Sequence, residues 1–205
     1  MALEEKIEFG TAGQLITADE SFTVPQGLLR YDLACGQTPK DGFKGVDRVP
    51  VAGIDIVHDL LEFPWPFKDS SVYEFNCEHF VEHIPLTLPN GDNGLIRFME
   101  EVYRCLMPRG MIRIVAPHYM SCEAWQDPTH CRVITDRTFL YFDRTVMVAS
   151  KLDHYTGDCD FEQLSRTFTL GPEWEGKADE ARNWAMRHYW NVVKEIQFVL
   201  RKRVK

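Results

Sequence analysis

Three acids stand where short apolar runs end: Asp32 in Tyr31-Asp32-Leu33-Ala34-Cys35-Gly36, Asp47 after Lys44-Gly45-Val46, and Asp59 after Ile54-Asp55-Ile56-Val57-His58. At the carboxyl ends of parallel strands, such groups face a ligand lying across the sheet edge. Asp47 can accept both hydroxyls of an adenosine ribose in bidentate fashion. Asp59 can accept from the adenine amine while Leu60 packs on the ring face. Together these acids also complement a ligand carrying sulfonium and ammonium charge. Ala34 and Gly36 are the small residues that let a ligand approach the backbone after the first run.

These groups need a scaffold of strands and turns. Leu28 to Leu33, Lys44 to Asp47, Ile54 to His58, Val72 to Cys77 and Met111 to Ala116 read as five strands. Only Gln37 to Phe43 separate the first two, and Pro39 and Gly42 lie inside that link, so the first crossover helix is expected to shrink to a turn. Leu95, Phe98, Met99, Val102 and Leu106 recur at helical spacing ahead of Pro108 and Gly110, which predicts an amphipathic helix stopped there. Ala178 to Tyr189 reads as a helix, and Phe161 to Leu170 with Asn191 to Arg201 reads as a closing antiparallel hairpin. The alternation predicts an α/β Rossmann-like fold, a mostly parallel sheet covered by helices.

A dinucleotide fingerprint would add a third glycine opening a phosphate-binding helix, and this turn has neither, which argues against NAD or FAD and a nucleotide-dependent oxidoreductase. The whole chain agrees with a compact enzyme-sized unit. Its 205 residues favour one domain, 1–205, with an N-terminal extension over 1–26 and an irregular acceptor-binding insert over 117–156. The formal net charge of −8 disfavours a phosphate backbone as partner. The opening Met1-Ala2-Leu3-Glu4-Glu5-Lys6 is not of signal-peptide type and no later run approaches a membrane span, so a cytoplasmic protein without a membrane partner is expected. The six scattered cysteines read as reduced thiols. His118, Cys122, His130 and Cys131 carry metal-binding groups, but adjacent His130 and Cys131 suit one tetrahedral ion poorly, and no metal is expected.

Five ordered blocks resemble the class I S-adenosylmethionine-dependent methyltransferases, in particular a bacterial and phage branch with a shortened first motif. Asp32-Leu33-Ala34-Cys35-Gly36 resembles the family's acid-x-Gly-x-Gly turn, with Ala34 where glycine is usual. Gly45-Val46-Asp47 is similar to its ribose-binding element, and His58-Asp59-Leu60 to its adenine-binding element. Cys77-Glu78-His79-Phe80-Val81-Glu82-His83-Ile84 resembles the block after the fourth strand, where a Glu-His pair orients helix and sheet. Glu101 to Gly110 resembles the following helix and turn, with Arg109 where the family usually has glycine.

The resemblance implies S-adenosylmethionine as cofactor, held by Asp32, Ala34, Cys35, Gly36, Asp47, Arg48, Asp59, Leu60 and Cys77. It implies in-line methyl transfer without a covalent enzyme intermediate, in which positioning supplies much of the rate. An alcohol or ammonium acceptor also needs a base near the strand ends, for which His118, His130, His83 and Asp127 are available. Asp127-Pro128-Thr129-His130 resembles a segment bordering the acceptor pocket in that branch, which makes His130 the leading catalytic candidate, with His118 and Asp127 beside it. The expected acceptor is a small molecule or glycan-type metabolite. The alternative is a non-catalytic S-adenosylmethionine-binding sensor or partner protein, which the Ala34 turn would permit.

Overall fold

The structure is a computed structural model that describes residues 27–204 except 153, 155, 156 and 158. The extension assigned to residues 1–26 lies outside the described residues, as do several positions near the end of the 117–156 insert. Seven strands form one sheet in the order β3-β2-β1-β4-β5-β7-β6. They are β1 Arg30–Leu33, β2 Lys44–Asp47, β3 Ile54–Val57, β4 Val72–Glu78, β5 Leu106–Pro117, β6 Phe161–Leu170 and β7 Val193–Lys202. The first five pair in parallel, whereas β7 runs antiparallel to both β5 and β6.

The expected α/β architecture is therefore present, including the closing antiparallel pair with the expected helix, α4, Asp179–His188, between β6 and β7. One correction is that the parallel half is not evenly covered by helices. Of the links joining β1 through β5, only the last contains an α-helix, α1, Gly94–Cys105. The strands explain this economy. Four residues of strand measure about 13 Å, and the six-residue link between β2 and β3 can span about 20 Å, enough to return the chain to its starting edge.

Helix α1 begins where the Asn93 side chain accepts from the backbone amides of Leu95 and Ile96. It buries Leu95, Phe98, Met99, Val102 and Cys105 on one face. It ends a turn before the expected stop: Leu106 is extended and pairs with Val72, and the ladder then resumes at Glu74 with Met111, so Met107 to Gly110 form a bulge at the start of β5. Pro108 restricts only Met107, so it is the pairing of Leu106 with Val72 that ends the helix this early.

Against α1 packs the segment after β3. Trp65 meets Phe98 at a ring separation of 5.3 Å and Phe75 at 6.0 Å. Glu101 accepts from the Trp65 amide at 2.8 Å, and Arg104 donates to the carbonyls of Phe67 and Trp65. Thus the one long helix also pins the loop that leaves β3. On the antiparallel side, Phe139 packs edge-on against Phe198 of β7 at 4.8 Å. Beyond β5 the chain adds two short helices, α2 Glu123–Gln126 and α3 Arg144–Ala149. No helix among the described residues is long and apolar enough to cross a membrane.

Candidate functional site

The carboxyl ends of β1, β2 and β3 converge on a cleft of about 480 Å³ lined by Ala34, Asp47, Arg48, Asp59 and Leu60, with His79, Phe80, His83 and Thr129 from later segments. This volume lies in the range of small-ligand sites. Asp47 organises the near wall: its carboxylate accepts from the amides of Gly36 and Val49, both at 3.0 Å. Asp59 accepts from the Leu61 amide at 2.9 Å. Each carboxylate keeps lone pairs beyond these bonds, because a carboxylate offers about four acceptor sites.

Ala34 stands between this cleft and a second cavity of about 340 Å³, lined by Asp32, Cys35, Thr38, Lys40, Asn76 and Glu78. Ala34 adopts φ 54° and Gly36 φ 59°, so the turn needs left-handed backbone at both positions. An alanine there costs about 1 kcal/mol relative to glycine. Buried Asp32 accepts from the Lys40 amide at 2.8 Å and from Asn76 Nδ2 at 2.6 Å. The Lys40 ammonium and the Arg113 guanidinium both bond Asn76 Oδ1 and Glu78 Oε1. Burial opposes the charge on Glu78, but Arg113 outweighs it and holds the carboxyl below its usual range. Sequence reasoning missed Lys40 and Arg113, which occupy different elements and meet only through the sheet.

Of the nine cofactor positions named from sequence, seven line one or both cavities; Gly36 instead donates its amide to Asp47 between them, and the Cys77 side chain is fully buried in the core. Burial pushes the Cys77 thiol well above its ordinary range. The three catalytic candidates separate more widely. His118 lines neither cavity; it is buried against Phe168, accepts from the Met120 amide at Nδ1, and desolvation pushes its pKa down to about 4. His130 lies beneath the cleft wall, donating from Nδ1 to the Ala124 carbonyl at 3.1 Å.

Asp127 reaches the cleft through a relay. Its Oδ1 accepts from the Thr129 hydroxyl at 2.6 Å, and Thr129 Oγ1 lies 3.0 Å from His83 Nδ1. The hydroxyl has one hydrogen, which the carboxylate takes, so His83 Nδ1 is the donor, and a neutral ring then holds its lone pair on Nε2. Hydrogen bonds from the Thr129 hydroxyl and amide hold the Asp127 carboxyl below its usual range. His83, assigned an orienting role from sequence, is thus the histidine of this group that lines the cleft.

Beside it, His79 is exposed on the cleft wall with φ 53°, and its Nε2 pairs with Glu195 at 3.0 Å. The nearby Glu82 carboxylate, aided by Glu195, raises its pKa against the effect of burial. Glu82, His83 and His130 place one potential ligand atom each within 4.8 Å of one another. Sequence spacing did not show this set, because its members join segments 47 positions apart.

The aromatic residues of the second half of the chain divide between core and surface. Phe139 and Phe142 are buried, but Tyr141, Trp184, Tyr189 and Trp190 are exposed. Trp184 stacks on His188 within α4, at 4.3 Å between ring centres.

No known family's sequence profile matches the chain, and no curated protein matches it in sequence. Its backbone does match solved structures. A SAM-dependent methyltransferase from Archaeoglobus fulgidus superposes with a TM-score of 0.54 at 16% identity, covering 86% of this chain and 87% of that one. A putative methyltransferase solved with the Haloferax volcanii Trm112 activator gives 0.53 at 12%, covering 90% and 87%. The cyclase SpnF gives 0.51 at 14%, covering 89% and 77%. The chain therefore has the fold of the class I methyltransferases, a fold that also carries another reaction.

Proposed function

We propose that this chain is an S-adenosylmethionine-dependent methyltransferase acting on a small-molecule or glycan-type acceptor. The observation that carries the reading is the pairing of Asp47 and Asp59, at the ends of adjacent strands, on one nucleoside-sized cleft that shares Ala34 with a charged second cavity. Asp47 accepts from the ribose hydroxyls, and Asp59 accepts from the adenine amine over Leu60. The methionine end occupies the cavity between Asp32 and Glu78, with Lys40 supplying the cation for its carboxylate. The insert over 117–156 borders the acceptor, because Thr129 brings it to the same cleft wall as His83. The fold likeness supports this reading at the level of architecture.

Calorimetry with S-adenosylhomocysteine tests it. Wild type is expected to bind, and Asp47→Ala to bind about 100-fold more weakly, equivalent to about 3 kcal/mol. Because Asp47 also holds two backbone amides, Asp59→Asn serves as a second variant, with an expected loss of about tenfold. Failure of wild type to bind either S-adenosylmethionine or S-adenosylhomocysteine would overturn the proposal. Binding without methyl transfer to any acceptor in a broad screen would favour the sensor reading.

A further inference from the structure

We propose that Glu82, His83 and His130 form a binding site for one divalent transition-metal ion on the insert side of the cleft. Glu82 belongs to the 3-10 turn Val81–His83 and is 2% exposed, yet neither carboxylate oxygen has a hydrogen-bond partner among the described residues. A buried carboxylate without bonds is strongly unfavourable unless a cation compensates it. His79 Nδ1 forms an ion-pair contact with Oε1 at 3.5 Å, longer than a good hydrogen bond, while its Nε2 pairs with Glu195. Oε2 has no hydrogen-bond partner among the described residues.

The two other members are prepared as ligands. His130 directs its Nδ1 hydrogen at the Ala124 carbonyl, and His83 directs its own at Thr129, itself fixed by Asp127. As neutral ligands both rings therefore offer the lone pair on Nε2, and both have the oxygen partner that orients a metal-bound imidazole. Their ring centres lie 4.7 Å apart. One ring nitrogen of each histidine and one Glu82 oxygen lie within 4.8 Å of one another. Ligands about 2.1 Å from a tetrahedral ion are about 3.4 Å apart, so side-chain shifts of about 1 Å close the set. Asp127 Oδ2, 3.9 Å from His130 Nε2, adds negative charge.

Two imidazoles and one carboxylate select zinc, cobalt, nickel, manganese or ferrous ion over magnesium or calcium, which prefer all-oxygen sets. Three protein ligands leave positions open. Of the three ligands His83 lines the cleft, so an open position on its side gives the ion access to a molecule bound there. Resting on the methyl-transfer reading, the acceptor is one that presents an oxygen donor, a hydroxyl or carboxylate, to the ion.

The test is titration of tag-free, chelator-stripped protein with cobalt(II), followed by visible absorption and melting temperature. Wild type is expected to take up one cobalt per chain and to melt higher with it. Glu82→Gln and His130→Ala should each bind about 100-fold more weakly, while Cys122→Ser and Cys131→Ser bind as wild type does. Glu82→Gln keeps the shape and removes the one charged ligand, so it should lose the cobalt-dependent rise in melting temperature whatever its metal-free stability. No stoichiometric uptake by wild type, or an undiminished cobalt response in Glu82→Gln, would overturn the site. S-adenosylhomocysteine calorimetry on the metal-free protein reads the nucleoside cleft separately. Cobalt uptake without nucleoside binding would keep the ion site and remove the methyl-transfer reading, and the converse would do the reverse.

Discussion

The two walls of the cleft are held together by different means. On the strand-end wall, carboxylates bond backbone amides close in sequence: Asp47 to Gly36 and Val49, Asp55 to Gly45, Asp59 to Leu61, and Asp32 to Lys40. On the insert wall, segments almost fifty residues apart are joined. Thr129 meets His83, the Cys131 amide donates to the Glu82 carbonyl, and Arg132 donates to the carbonyls of Ile84 and Pro85. The first wall is built from local turns that shape a pocket for one ligand. The second is docked on the sheet and depends on the chain's return, which leaves buried His118 and Glu82 inside it.

The largest expected effect that sharpens this contrast is the acid sensitivity of the insert wall. His118 is held neutral by burial, with its pKa pushed down to about 4 from 6.5. A depressed pKa in the folded state gives stability that is complete above pH 6.5 and lost as pH falls towards 4. Burying neutral His118 should therefore make wild type lose about 2–3 kcal/mol over that window. His79, with a raised pKa, contributes in the opposite direction, so the readout is the difference between wild type and His118→Phe. Urea melts at pH 7 and pH 4.5 should show a smaller fall for the variant. Equal falls would mean that the insert wall does not bury His118 as a neutral group.

A smaller effect probes the strand-end wall. Asp32→Ala leaves the Lys40 amide and the Asn76 side-chain amide without their acceptor, at a cost of about 2 kcal/mol. The urea midpoint should fall with little change in slope, and the pH 7 to pH 4.5 difference assigned to His118 should persist. If the two variants proved strongly non-additive, the walls would be one coupled unit and the contrast would fail.

Smallest is Ala34→Gly. Relief of left-handed strain and the greater freedom of unfolded glycine nearly cancel, so stability should change by no more than about 0.5 kcal/mol in thermal melts. A loss well above that would show the Ala34 methyl to be a packed part of the cleft wall.

The legibility of the sequence follows the same division. Strands β2 and β6 occupy the residues expected for them, because the hydrophobic alternation and the turn residues that bound them are local signals. The shrunken first crossover was equally readable from Pro39 and Gly42. Gly45 adds a constraint that only the folded chain displays: a Cβ there would come within 2.7 Å of Pro39, so the link from β1 to β2 folds tightly over the strand. Helix α1 was readable in its buried face but not in its end, which the pairing of Leu106 with Val72 decides.

By itself the sequence determined the order of the elements, the acids at the strand ends and the small turn after β1, since each depends on neighbours within about a dozen positions. Tertiary structure alone decided that Lys40 and Arg113 meet over Asn76, that His83 rather than His130 lines the cleft, and that Glu82 is buried without a bond. These outcomes turn on which distant segments the sheet brings together and which side chains that contact strips of water. No spacing along a chain encodes a desolvated carboxylate; it appears only when the insert closes over it.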